Sequence, residues 1–350
     1  MKRNYAGDVL RNFLIVIVFL CHSSYLFSND EAISLIGTAT GWAMEMFFVL
    51  SGFFIAIKYM QKNIPTVKEI AIHEWVKIYP EYFMGYIMCV FLEYWQKHYY
   101  GDMDSSLQFV KKSLLNLGLL QSWVPNEDYY FSFNGVSWFL SSLFFCYLLS
   151  VPAMTFLRKK INYSFLILCF TIAIRYIYVS VYSFRGLPLG YYFINVFPLY
   201  RFLEFFIGMS LGVIYYKKTK KSKKASIIQI IGILLFNIMF VVCQYMFNLG
   251  SMNIVIEIFV IYILLFYDGM IDEIGKTLIM KKLANINLQF YLFHQVVIKY
   301  VRWFETRFDI QVYAAFEFVI LFGITVILCV IIKKLSDIVR EKMLKYYRKS

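Results

Sequence analysis

Charge is scarce in this sequence. Only 16% of its 350 residues are Asp, Glu, Lys or Arg, against 60% hydrophobic and 20% aromatic. A water-soluble domain of that make-up would expose far too much apolar surface. The composition excludes an ordinary soluble fold and points to a polytopic membrane protein. Acidic residues are the scarcer sign, which leaves a net charge of +13. That excess does not indicate nucleic acid, because the basic residues sit in short loops between apolar segments, where they set topology. The six cysteines (Cys21, Cys89, Cys146, Cys169, Cys243 and Cys329) are scattered singly in apolar stretches, with no CxxC. Neither a zinc or other metal site nor a disulfide framework is indicated, and they read as small packing residues. The N-terminal MKRNYAGDVLRNFLIVIVFLCHSS imitates a signal peptide but lacks an A-x-A-like cleavage site. Bulky Phe19 and Leu20 before Cys21 exclude a lipoprotein signal, so the first apolar segment is expected to be retained. There is no convincing internal repeat and no soluble domain, and a single transmembrane domain over 1–350 is expected.

What is present is a series of apolar stretches. A spanning helix needs about 20 mostly apolar residues. By that measure the chain is all-α with about ten transmembrane helices, at roughly 9–27, 36–57, 78–95, 136–157, 163–182, 195–216, 226–247, 251–268, 283–300 and 311–333. One set of alternate loops carries most of the cations: Lys2 and Arg3, the lysines of 58–77, RKK at 158–160, KKTKKSKK at 217–224, and the basic tail 334–350. The other set holds only Lys97, Lys111, Lys112, Arg185, Arg302 and Arg307. This asymmetry predicts both termini in the cytoplasm. In the long external loop 96–135, SLQFVKKSLLNLGLLQSW repeats its apolar residues at three- and four-residue spacing, which predicts a short amphipathic helix at the bilayer surface.

Ionisable groups inside spans are costly and are functional candidates by default. Here they are Arg11, His22, Glu45, Arg175, Arg201, Glu204, Glu257 and His294. Counted from the outer ends of their spans at about 1.5 Å per residue, His22, Glu45, Arg175, Arg201 and His294 lie roughly 8–14 Å deep. Five groups at one level predict a single cavity in the outer half of the membrane. Arg11 precedes His22 by three helical turns, so the two share a helix face roughly 16 Å apart. A permanent cation suits phosphate, and an imidazole suits proton transfer. Such a face fits a phosphorylated donor that reacts with a hydroxyl.

At this point the residues resemble a known family, the acyltransferase-3 polytopic membrane O-acyltransferases. Arg11 and His22 give its R-x10-H signature within DVLRNFLIVIVFLCH. GWAMEMFFVLSGFFI (41–55) resembles its Asp/Glu-x-FFVLSGF-x-I block, and WVKIYPEYF (75–83) its basic-x-Tyr-Pro block. VSWFLSSLFFCYLL (136–149), RFLEFFIGMSLG (201–212) and INLQFYLFHQ (286–295) resemble later segments. The sequence departs from the pattern twice. HEWVK, with Lys77 its only cation, stands where the family often has several arginines, and Ser141 and Ser142 follow the tryptophan where a glutamate is usual.

The resemblance implies transfer of an acyl group, commonly acetyl, from acyl-CoA to a carbohydrate hydroxyl, in the cytoplasmic (inner) membrane of a bacterium. The acceptor would be a polysaccharide or a lipid-linked sugar, and the lipid bilayer the surroundings. It implies acetyl-CoA as donor, held by Arg11, Lys77 and Tyr79, with Ser51 and Gly52 allowing close approach of a neighbouring helix or of the pantetheine arm. His22 would be the general base, with Glu45 to orient it, Arg175 and Arg201 as candidates to stabilise the oxyanion, and His294 assisting or shuttling the proton. Two readings without acyl transfer to a glycan stay open: a carrier or flippase for a sugar-lipid, and a subunit that relays acyl groups to a separate transferase.

Overall fold

The computed structural model describes residues 3–27, 40–100, 106–184, 189–217, 226–233 and 253–347. The seventh expected span beyond residue 233, Cys243, Arg185 and the lysine run beyond Lys217 lie outside the described residues. Every regular element among the described residues is a helix. The longer ones are α1 (Tyr5–Ser23), α2 (Thr40–Gln61), α3 (Val67–Tyr100), α4 (Ser106–Leu117), α5 (Trp138–Lys159), α6 (Ser164–Phe184), α7 (Pro198–Lys217), α8 (Asn253–Phe266), α9 (Asn287–Phe308) and α10 (Ala314–Tyr347).

Among the described residues, six helical segments are long and apolar enough to cross a bilayer: Tyr5–Phe27, Gly41–Gln61, Gly135–Lys159, Ile161–Tyr182, Gly190–Lys217 and Ala314–Tyr347. They correspond to six of the ten expected spans, the start of 36–57 lying outside the described residues. The expected span 78–95 falls inside α3, and 283–300 begins in the short helix Leu278–Asn285 and continues into α9; α3 and α9 are long helices too rich in polar residues to meet the same criterion. The stretch at 251–268 becomes α8, apolar but only 14 residues long. Exposed apolar residues are plentiful where lipid would lie, as on α6 (Phe165, Leu166, Phe170, Ile177) and α10 (Phe316, Val319, Ile327).

The chain divides into two compact units, each built from three separate stretches: 1–14, 41–68 and 145–285 in one, 15–40, 69–144 and 286–350 in the other. The first is organised by a close crossing of α2 and α7. A Cβ on Gly52 would stand 1.9 Å from the Phe205 carbonyl oxygen, and one on Gly208 would stand 1.9 Å from that of Val49. Gly212, four residues on, meets Phe53 in the same way. Small residues at this spacing let two backbones touch, which is how helices pack without a hydrophobic driving force. α6 lies against α7 in the same unit.

In the second unit α9 packs along α10. α4 forms where the amphipathic pattern predicts a helix. Its Leu107, Val110 and Leu114 are exposed, while buried Asn116 ties it down. The Asn116 carbonyl accepts from Tyr82 Oη at 2.7 Å, and its amide donates to Ser132 Oγ at 2.7 Å. The expected basic tail is not a tail. α10 runs unbroken to Tyr347, and Arg340 docks it on α3 by bonding Glu81 at 2.5 Å and the Lys77 carbonyl at 3.0 Å. Gln289 and Ser336 donate to the same Glu81 oxygen, at 2.7 and 2.9 Å. Three polar groups thus pair with one buried carboxylate, and a buried charge needs that degree of pairing.

Candidate active site

His22 sits in the last turn of α1 and belongs to the second unit. Its imidazole lies 5.1 Å, centroid to centroid, from that of His294 on α9. His294 is buried, and its Nδ1 lies 3.1 Å from the Phe290 carbonyl oxygen. A carbonyl can only accept, so Nδ1 carries the proton and the neutral ring presents a lone pair at Nε2. That Nε2 is buried and has no hydrogen-bond partner among the described residues. Phe19 and Phe290 wall the His294 ring at 6.4 and 6.3 Å.

His22 also lines a cleft of about 420 Å³ together with Gln295, Ile298, Lys299, Arg302, Trp303 and Thr306. The last six fall at intervals of three and one along α9, which is one helical stripe. Of the five groups expected at one depth, this cleft holds His22, with His294 directly behind it.

Glu45, Arg175 and Arg201 come together in the first unit, with Glu204. Arg175 Nη2 pairs with Glu45 and lies 3.7 Å from Glu204 Oε1. Arg201 Nη1 donates to Glu204 Oε2 at 2.7 Å, and its Nε donates to the Asn195 carbonyl at 2.7 Å. Arg175 and Arg201 also stand 5.7 and 5.6 Å from the Tyr200 ring. All four charged groups are buried. Glu45 thus pairs with Arg175, and both guanidiniums are held by carboxylates of their own unit. Fully buried Glu257 faces Glu45 closely enough for the two carboxyls to share a hydrogen bond when one carries a proton.

Arg11 lies in the first unit, its guanidinium 4.3 Å from the centre of the Phe54 ring. Among the described residues it has no carboxylate within ion-pair distance. Lys77 donates to Glu74 at 2.9 Å. Burial would push the Glu74 carboxyl up, but hydrogen bonds from His73 and Lys77 and the Lys77 charge hold it at about 2. Tyr79 stacks on Trp75 at 4.1 Å and donates to the Leu117 carbonyl at 3.2 Å, so it anchors the end of α4. Of the two alternatives for Gly52, the structure shows the close approach of a neighbouring helix: the space beside its Cα is filled by the Phe205 carbonyl. Ser51 is half-buried beside it. In the sequence Arg302 is read only as a loop cation and Gln295 only as the end of a block, and Lys299, Trp303 and Thr306 are not singled out, although the three-and-one spacing of all five is there to be seen.

Residues 4–334 match the family model described as "Acyltransferase domain". The chain is similar to a protein named acyltransferase MdmB from Streptomyces mycarofaciens, at 26% identity over 311 residues, which covers 83% of this chain and 78% of that protein. No solved structure matches the chain.

Proposed function

Because the chain belongs to the family defined by that acyltransferase domain, we propose that it is a membrane O-acyltransferase. It moves an acyl group, acetyl in the simplest case, from cytoplasmic acyl-CoA to a hydroxyl of a cell-surface glycan or its lipid-linked precursor. Both termini face the cytoplasm of a bacterial cell, as the loop cations predict, and α3, α8, α9 and the expected span 226–247, most of which lies outside the described residues, bring the six most apolar segments to the even number this needs. The observation that carries the reading is the imidazole pair: His22 at a cleft, with the lone pair of His294 buried behind it.

In the proposed reaction His22 takes the proton of the acceptor hydroxyl as its oxygen attacks the thioester carbonyl. The tetrahedral oxyanion then expels the CoA thiolate by breaking the C–S bond, and the imidazolium returns the proton to the sulfur. His294 Nε2 can accept a hydrogen bond or a proton from the His22 side, so the pair can hold the proton between the two steps. Arg11, three helical turns before His22 on α1 and with no carboxylate within ion-pair distance among the described residues, is the residue suited to a CoA phosphate. Lys77 and Tyr79 have internal partners, so their share in donor binding is secondary. Glu45, Arg175, Arg201 and Glu204 hold α2, α6 and α7 together.

The test is purified protein with radiolabelled acetyl-CoA and a panel of glycans. Label should pass to a sugar only with the wild type, and His22→Ala should lower the rate by about 10²–10⁴-fold at unchanged folded yield. A His22→Ala protein that acylates normally would remove the general base. A wild type that moves sugar-lipid between leaflets without consuming acetyl-CoA would make the protein a carrier, and label that leaves CoA only when a second transferase is added would make it a relay.

A further inference from the structure

The cleft beside His22 has a one-sided chemistry. Its Gln295 carbonyl oxygen accepts from the Val136 backbone N–H at 3.1 Å, which leaves the amide NH2 to face outward. Lys299 Nζ donates one N–H to the Phe133 carbonyl at 2.6 Å and keeps its others. That neutral partner does not compensate its charge. Arg302 lies over the Tyr25 ring at 4.6 Å, which leaves its fork of N–H groups uncommitted. Among the described residues neither cation has a carboxylate within 4 Å, and no Asp or Glu lines the cleft. Glu305 is near enough to Arg302 to be felt, though not within ion-pair distance, and Glu317 accepts from Tyr25 Oη at 3.1 Å. Trp303 adds an apolar ring face.

A neutral sugar presents hydroxyls that donate as well as accept, and a site for it would supply acceptors. Apart from the His22 imidazole and the Thr306 hydroxyl, which can accept, the polar lining of this cleft is the Gln295 NH2 and two positive charges. We propose that the cleft binds an acidic saccharide: the acceptor carries a carboxylate or phosphate within one sugar unit of the hydroxyl that is acylated, and Lys299 and Arg302 read that charge. The inference rests on the cleft being the acceptor site of the proposed transferase, and it concerns selectivity, so it can be tested by binding without turnover.

The protein in lipid nanodiscs is titrated with fluorescent trigalacturonate and with its carboxyl-reduced, neutral counterpart, and in parallel with a glycosyl phosphate and the free sugar. The acidic member of at least one pair should bind about tenfold or more tightly at low salt, and the preference should shrink as ionic strength rises. Whichever pair shows it names the anion. Arg302→Gln and Lys299→Gln should each cut the preference severalfold, through the acidic member alone. Equal binding of acidic and neutral members in both pairs overturns the proposal. It is also overturned if the two substitutions weaken binding of coenzyme A and leave the saccharide preference intact, because the cations then hold the donor's phosphates. The labelling assay with acetyl-CoA is scored separately. A protein that prefers the acidic saccharide but transfers nothing would keep this site and discard the transferase.

Discussion

Single side chains here are defined by what they are bonded to. His294 owes its tautomer to the Phe290 carbonyl, and that one bond decides which nitrogen faces the cleft side. Glu74 shows the same logic in a place open to a pH measurement. It is buried, yet hydrogen bonds from His73 and Lys77 hold its carboxyl at about 2. A carboxyl lowered on folding adds stability above its unfolded value, and that stability disappears as pH falls through the folded value. The loss should therefore run from about pH 5 down to pH 2 and amount to about 1–3 kcal/mol, since each pKa unit is worth about 1.4 kcal/mol. Thermal unfolding in detergent at pH 6 and pH 3 checks this. Glu74→Gln should be the less stable protein at pH 6 and should lose less than the wild type on acidification. An equal loss in both would show that this carboxyl is not what acid attacks.

At the scale of helices, the crossing of α2 and α7 is the most demanding contact in its unit. Gly52→Val should cost about 1–3 kcal/mol or more, because the added atoms meet a backbone carbonyl that has no rotamer to move into. Exposed Gly41, with open space around its Cα, is the control: Gly41→Ala should change little. The comparison is the thermal midpoint of each purified variant, and equal midpoints would contradict the packing. The crossing was half legible in the sequence. Ser51-Gly52 stood out as a small pair in an apolar run, but nothing local says whether a helix or a ligand fills the gap. The partner, Gly208 and Gly212 four residues apart, carried the missing half. α4 was legible because its apolar spacing is local. α3 and α9 were legible as apolar stretches but not in length, since Glu81, Gln289 and Lys299 owe their tolerance to partners more than 100 residues away in the chain.

For the molecule as a whole, composition alone settled the class, because 60% hydrophobic residues leave few other options. The grouping of the polar residues was beyond the sequence. Depth counting put five of them at one level, but depth says nothing about which helices are neighbours, and three of the five share a unit with Glu204 while the histidines share the other. The docking of the C-terminal segment is hidden in the sequence for a related reason: a run of cations looks solvated until a buried carboxylate is found for one of them. Arg340→Ala should cost about 1–3 kcal/mol by removing charged bonds to Glu81, and ending the chain after residue 334 should cost more, since Ser336 goes as well. Yield and thermal midpoint of the two variants measure this. A truncated protein as stable as the full chain would return residues 335–347 to the role of a solvated tail.

The bonds to Glu81 also impose an order in time. Gln289, Ser336 and Arg340 follow Glu81 in the chain by 208, 255 and 259 residues. At about 5–20 residues per second, the ribosome delivers them roughly 10 to 50 s after α3 has been made. For that interval α3 carries a carboxyl whose donors do not yet exist, so it must be kept near water or against the insertion machinery. The second unit can therefore close only after synthesis has passed Arg340, and a ribosome that stalls before that residue leaves a helix with an unpaired acid at the membrane.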